Sequence, residues 1–434
     1  MIQSINKKKN SLYIGLTLLI LSQIFFVAGS LLVNFLTILS IILYFWLSNW
    51  DNNLKFLKKY KFIFLILIVY FLLNIFTSDL KLLSATKIFV YLRFPLFTFA
   101  MIFFLNSIKS KMNIYLIFLN SFIIFLVFDS LIQFYFGKDI FGYSYNFDYL
   151  RISGPFGDEW IIGFYLFNIG FLFLSYINFF QNVTSTKNIL LILIISLSVL
   201  YSGERTTYFS IYIFLFFLTV FSNQKKLLIY SSVLLIISSL ILIKQPFGDE
   251  RGYFLSMKYE ITNLPAVFKP IQQKDKNQNQ NEKANNIILS KITESKWSNH
   301  FLAGINIFSK NLVSGSGFRT FRIVCYEYEK NLNDPSKQRC STHPHNFHIE
   351  ILSDNGVLGY LIFLSFFVYI SFLFFKEKLF KNFGCSILFC LLITFIFPFK
   401  TTGSFFTTNS SYLFFLLIAH FFNLRNKLKE PTYD

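Results

Sequence analysis

Charge is scarce in this chain: 14% of its 434 residues are Asp, Glu, Lys or Arg, and only 22 are acidic. A soluble domain of this length could not hide the 54% of its residues that are hydrophobic, because the fraction of surface buried saturates as a domain grows. The in-and-out alternation of a membrane barrel is missing. So is any Walker-type phosphate loop, so nothing points to chemistry driven by ATP. No internal repeat is visible, and the inverted repeats that mark many transporters are not found. Cysteine is limited to four residues. Two of these, Cys385 and Cys390, fall in an apolar run and read as buried apolar side chains.

What the chain has instead is one apolar run after another, each about 16–20 residues long and therefore long enough to cross a bilayer. The mean hydropathy is +0.53. These runs predict an all-α polytopic membrane protein with about twelve transmembrane helices. Their bounds are 12–28, 31–48, 62–77, 88–105, 114–136, 160–178, 188–202, 208–222, 227–244, 356–375, 384–399 and 409–424. Lys7, Lys8 and Lys9 ahead of the first run resemble the start of a signal peptide. A second full run follows at once, so the first reads as an uncleaved helix. The organisation is then 1–244 for helices 1–9, 245–355 for one large hydrophilic loop between helices 9 and 10, and 356–434 for helices 10–12 and a tail.

A net charge of +18 would suit a nucleic-acid partner, but the distribution of the charge excludes that reading. With the N-terminus in the cytoplasm, the inner segments hold eighteen lysines and arginines against Asp51, Glu377, Glu430 and Asp434. The short outer loops carry mainly Lys81, Lys87, Lys138, Arg151, Arg205 and Lys400. This is the positive-inside pattern. It places both termini in the cytoplasm and the 245–355 loop outside.

The outer loop has parts. Gln272–Asn286 is polar and low in complexity and reads as a flexible insert. Trp297, Phe301, Ile305, Phe308 and Leu312 recur at helical spacing and predict an amphipathic helix on the membrane face. Gly315-Ser316-Gly317 follows, either a helix stop or a phosphate-binding turn. Cys325 and Cys340 stand fifteen positions apart, and in an oxidising compartment they would close a loop worth about 3 kcal/mol in the chain-entropy model. Four of the five histidines lie in this loop, three of them within His343-Pro344-His345-Asn346-Phe347-His348. Zinc is one reading of His343, His345, His348 and Cys340, but the spacing fits no standard site and Pro344 hinders convergence. For His345, a neutral imidazole of ordinary pKa near 6.5 would serve as a general base.

Polar residues inside spans are expensive and face a cavity or a partner. Arg93 sits mid-span, and Asp129 and Gln133 share one helical face near the outer boundary. An Arg93–Asp129 pair between helices is one expectation, and a polar chamber for sugar or diphosphate is the other. Arg205 lies in a very short outer hairpin, Tyr201–Thr207, where it either snorkels or clamps an anion with its planar fork.

Together these residues resemble the bacterial O-antigen ligase and O-antigen polymerase superfamily. The ligase pattern is His, then Asn, Ser or Gln, nine residues, Gly, two residues, then Gly, Thr or Tyr. Here His345 and Asn346 are followed by nine residues, then Gly356 and, after two more, Gly359. The span count, the loop position, the Ser202-Gly203-Glu204-Arg205 hairpin and the Gly315–Phe318 turn extend the likeness over most of the chain. The resemblance implies a multi-pass protein of the bacterial inner membrane with a periplasmic active site and no cofactor or metal. Its donor would be a glycan on undecaprenyl diphosphate, and its acceptor lipid A–core or a second lipid-linked glycan. His345 takes the place of the catalytic histidine and Arg205 that of the outer-loop arginine, with Arg319 and Arg151 as further diphosphate ligands. Asn346, Gly356, Gly359, Asp129 and Gln133 would support them. Glu204 departs from the usual Ser-x-Ser-Arg hairpin, and is expected to pair with Arg205 and weaken its hold on phosphate. A transporter or flippase would also suit twelve spans with Arg93 and Asp129 inside them, and an assembly factor would leave the histidine motif unexplained.

Overall fold

The computed structural model describes residues 2–48, 58, 61–146, 151–181, 183–244, 296–329 and 340–429. The polar insert Gln272–Asn286 and the whole of 245–295 lie outside the described residues. Each of the twelve apolar segments falls on a helix. In chain order these are α1 (Ile2–Ala28), α2 (Ser30–Leu47), α3 (Lys61–Thr77), α4 (Lys81–Tyr91) with α5 (Arg93–Ser107), α6 (Met112–Phe136), α7 (Ile162–Phe180), α8 (Ser185–Tyr201), α9 (Arg205–Phe221) and α10 (Lys225–Lys244). Two helices of the outer loop, α11 (Lys296–Lys310) and α12 (Phe321–Glu329), precede α13 (Phe347–Lys376), α14 (Phe383–Phe395) and α15 (Thr408–Lys429). Among the described residues no β-strand forms, only two isolated bridges that close the 137–151 turn. Six helical stretches are long and apolar enough to cross a membrane: 10–28, 30–47, 81–107, 109–136, 162–180 and 347–376. The protein is therefore all-α and membrane-spanning.

Lipid tails are as apolar as leucine, so helices in a bilayer associate through close packing and polar bonds. The central helix α7 shows both devices. The Ser175 hydroxyl donates to the Gly384 carbonyl of α14 at 2.8 Å, and a Cβ on Gly384 would come within 2.4 Å of that same serine's carbonyl oxygen. Deeper in the bundle the Tyr176 hydroxyl meets His420 Nδ1 at 2.6 Å and donates to Asn423 at 3.2 Å. His420, the one histidine outside the outer loop, thus belongs to the helix packing. At the C-terminal end of α13, Glu377 accepts two bonds from Arg425 at 2.7 and 2.6 Å and one from Lys429 at 2.7 Å. Those cations hold its carboxyl down at about 2 and join the C-terminal ends of α13 and α15.

Two boundaries differ from expectation. The fourth span begins at Lys81 rather than near 88, and within it Arg93 is not isolated. Its guanidinium donates to Asn34 at 2.9 Å, and the Thr408 hydroxyl donates to the same Asn34 oxygen at 3.4 Å. Both partners lie within about a turn of the outer ends of their helices. The expected Arg93–Asp129 pair is not formed, because Asp129 faces another element altogether.

The second difference is α13, which begins at Phe347 and breaks at Gly356 (φ 64°, ψ −170°). The apolar stretch after the break, Val357–Lys376, is about 30 Å long, enough to span the hydrocarbon core. The break frees backbone groups, and the chain at 312–317 runs alongside to satisfy them. Val357 and Leu358 donate to the carbonyls of Leu312 and Val313 at 2.8 and 3.1 Å, while Ser316 and Gly317 donate to those of Ser353 and Asp354 at 2.9 and 3.0 Å. A Cβ on Gly356 would fall 2.4 Å from the Val313 backbone, and one on Gly315 would fall 2.4 Å from that of Asn355. Gly359 admits the Tyr70 hydroxyl, which donates to Asn355 at 2.9 Å. Gly356→Ala meets both a left-handed backbone and a hard contact. A loss of folded protein equivalent to about 2–4 kcal/mol is expected, measurable as a lower melting temperature of the detergent-solubilised chain.

Candidate functional site

Arg205 opens α9 and Asn346 immediately precedes α13, while Asp129 and Gln133 lie on α6. The Cys325–Cys340 disulfide is formed, with a Cα separation of 5.7 Å. It ties α12 to the start of the histidine loop. On the other side α11 packs against that loop through a buried face of Ala303 and Ile307, clustered with Phe321, Val324 and Cys325. The helical period predicted for this stretch is right and the stripe is not: Ile305 and Leu312 are 47% and 53% exposed. A Cβ on Gly304 would lie 2.4 Å from Ile349 and 3.0 Å from Pro344, which is how closely α11 approaches the loop.

His345 adopts a left-handed backbone (φ 55°), uncommon for a residue with a side chain and costing on the order of 1 kcal/mol or more. Its carbonyl accepts from Thr402 N at 2.8 Å. Its ring centroid lies 4.1 Å from that of His343 and 5.0 Å from that of His300 on α11. Asn346 is the N-cap of α13, accepting from the amides of His348 and Ile349 at 3.0 and 3.1 Å, a standard way to satisfy the first turn. It also donates to the carbonyls of Pro398 and Lys400 at 2.7 and 3.2 Å. His348 has both ring nitrogens engaged, with the Tyr360 hydroxyl at 2.9 Å and the Ile396 carbonyl at 2.5 Å. His343 shares Nδ1 with the Thr342 hydroxyl at 2.9 Å. Burial, followed by the nearby charges of His300 and Arg322, brings its imidazole down to about 4, so it is neutral at physiological pH. The zinc set of the sequence reading is dispersed by these bonds: Cys340 is in the disulfide and His348 is committed to the helix bundle.

The loop 396–407 organises the site. Glu350, one turn into α13, accepts from the Ser404 hydroxyl and from Phe405 N, the latter at 2.7 Å. The Thr401 hydroxyl meets that of Thr206 at 2.9 Å, one residue from Arg205. Thr402 is the residue bonded to His345. A single loop thus binds the histidine segment on one side and the arginine hairpin on the other. It also carries Lys400, whose ammonium donates to the Thr394 carbonyl at 2.7 Å and is brought down to about 7 by burial.

Arg205 stands at the first position of α9. The expected pairing with Glu204 is replaced by a different task. The Glu204 carboxylate accepts from Gly163 and Phe164 at 2.7 and 3.1 Å, capping the first turn of α7, and from the Thr207 hydroxyl at 2.9 Å. Burial raises its pKa, and those bonds together with the charge of Arg151 oppose the rise. Arg151 reaches the same place because Ile152 N donates to the Ser202 carbonyl at 3.2 Å. Gln133 holds this loop by accepting from Ser153 and Gly154 at 3.0 and 2.7 Å. Asp129 accepts from Ile140 N at 3.0 Å. Both are fully buried, so they brace the outer loop and line no open chamber. The Gly-x-Gly turn has its amides in use as well, since Phe318 N donates to Asn74 and Ser84 at 2.9 and 3.0 Å. Arg319, left-handed at φ 58°, lies within electrostatic reach of Glu350 and Arg93.

Four polar residues of this region were given no role from the sequence: His300, Glu350, Asp354, which accepts from Phe321 N at 2.9 Å, and Lys400. The last three carry a faint signal, an acid or base close to a helix end at a membrane boundary. His300 had only one hint, a glycine four residues later on the same helical face.

Residues 190–364 match a family described as O-antigen ligase. The match takes in Arg205, Arg319, His345, Asn346, Gly356 and Gly359, and leaves Asp129, Gln133 and Arg151 outside it. No curated protein matches the chain. The likeness to the O-antigen ligase and polymerase family, read first from the histidine spacing, is thereby borne out.

Proposed function

We propose, from that family match, that this protein transfers a glycan from undecaprenyl diphosphate to a sugar hydroxyl of lipid A–core on the periplasmic side of the inner membrane. The observation that carries the reading is the shared loop, with Thr401 on the arginine hairpin at 2.9 Å and Thr402 on His345 at 2.8 Å. An acid–base group and a permanent cation are thus held on one rigid support. The acceptor hydroxyl gives its proton to the His345 imidazole as its oxygen bonds to the anomeric carbon. The bond from that carbon to phosphate breaks, and the charge left on the lipid diphosphate is met by Arg205, with Arg319 and Arg151 behind it. A diphosphate is already a good leaving group, so the scheme uses no metal ion and no cofactor. The positive-inside distribution of lysine and arginine supports a topology with both termini in the cytoplasm, in which these residues would stand at the periplasmic surface. The cluster of Glu377, Arg425 and Lys429 at the opposite end of α13 and α15 agrees with a basic inner face.

O-antigen polymerase activity uses the same donor and differs only in its acceptor, a second lipid-linked repeat. Deletion followed by analysis of surface polysaccharide separates the two. A ligase deletion is expected to leave polymer on the lipid carrier and lipid A–core uncapped. Single repeats on lipid A–core would assign the polymerase reaction instead, and an unchanged glycan profile would sink both.

A further inference from the structure

His345 has two imidazole neighbours, and they differ in what they can do with a proton. His343, at 4.1 Å between centroids, is largely buried, and its Nε2 is enclosed without a hydrogen-bond partner among the described residues. Burial and the adjacent His300 and Arg322 charges keep it neutral down to about pH 4. A ring so disposed is a poor place to leave a proton. His300, at 5.0 Å and tilted by 37°, is partly exposed on α11. That spacing allows ring nitrogens to approach to about 3 Å, a hydrogen-bond distance. Its register is built in: His300 and Gly304 share one face of α11, and the missing side chain at Gly304 lets Pro344 and Ile349 seat against the helix.

We propose that His300 is a positioning residue for His345 that also carries the proton from His345 to water after each glycan transfer. The inference rests on the reading of His345 as the base. The steps balance: the acceptor O–H proton moves to a ring nitrogen of His345, giving an imidazolium. That imidazolium passes one proton to a ring nitrogen of His300, which releases it to bulk water. The other charged groups around the pair are Arg322 on α12, Glu350 and His348 on α13, and Lys400 on the 396–407 loop. Glu350 is bonded to Ser404 and Phe405, and His348 to Tyr360 and Ile396. Neither is therefore placed to take the proton in place of His300.

The test uses the full-length chain in detergent, with lipid-linked glycan extracted from a deletion strain as donor and that strain's lipid A–core as acceptor. His300→Phe keeps an aromatic ring against His345 and removes the titratable nitrogens. Turnover is expected to fall by at least about tenfold, with KM for the lipid-linked donor unchanged. The remaining rate should rise with pH and with buffer concentration, because His345 must then lose its proton directly to solvent species. Added imidazole should restore activity. His300→Gln, which cannot relay a proton between ring nitrogens, should behave alike. A wild-type rate and pH profile in His300→Phe would overturn the relay. So would a loss of rate that imidazole and buffer leave untouched, since that marks a packing role. A wild-type protein inert towards these substrates would instead overturn the glycan-transfer reading itself.

Discussion

Replacing His345 by Asn is expected to reduce glycan transfer by about 10²–10⁴-fold, the usual worth of a positioned general base, while leaving the protein inserted and abundant. Asn is the sharper choice than Ala because the backbone here is left-handed, at φ 55°. Asn tolerates that region as His does, so the variant isolates the loss of the imidazole. The bond that Thr402 N donates to the carbonyl of this residue involves only backbone and survives the change. His345→Ala should show the same loss of activity with a slightly lower melting temperature. The measurements are surface polysaccharide in a complemented deletion strain and protein level in the same membranes. Full activity in His345→Asn would remove histidine base catalysis from the account.

The separation of roles among the histidines shows what local pattern can and cannot carry. The spacing from His345 and Asn346 to Gly356 and Gly359 was legible, and the structure gives each position a physical reason. Asn346 caps a helix, Gly356 breaks it and Gly359 admits Tyr70. The all-α, membrane-spanning class was legible because bilayer thickness imposes long apolar runs, and six helical stretches among the described residues are long and apolar enough to cross. The Cys325–Cys340 bond was legible because no other cysteine lies in the outer loop. What could not be read depends on contacts between distant segments. Glu204 looked like a partner for the next residue, yet it caps α7, some forty positions earlier. Arg93 and Asp129 looked like a pair, but Arg93 meets Asn34 on α2 and Asp129 accepts from Ile140 just beyond its own helix. The Gly-x-Gly turn resembles a phosphate cradle in sequence because such a turn can leave its amides available. A broken helix elsewhere in the chain had already claimed them.

Arg205→Ala is expected to lower kcat by roughly 10²–10³-fold, the range seen when one group stabilising a transition-state charge is removed. Arg205→Lys should recover little of it. Lysine keeps the charge but offers a point rather than a planar fork, and it gives up the two parallel bonds that match a phosphate edge. The local structure sharpens the expectation. Arg205 opens α9, where the helix dipole is positive, and the next residue, Thr206, is fixed to the 396–407 loop at 2.9 Å. The backbone is therefore positioned for one side-chain length and one approach. The acid beside it is occupied by the α7 amides and Thr207, so removing the arginine leaves Glu204 in its existing bonds. The variant should accordingly remain folded, and the loss should appear in kcat more than in KM for the lipid-linked donor, because the charge to be met develops as the bond to phosphate breaks. A lysine variant as fast as wild type would show that any nearby cation suffices and that the bidentate clamp is wrong. A loss confined to KM would move Arg205 from stabilising the departing diphosphate to holding the donor in its ground state.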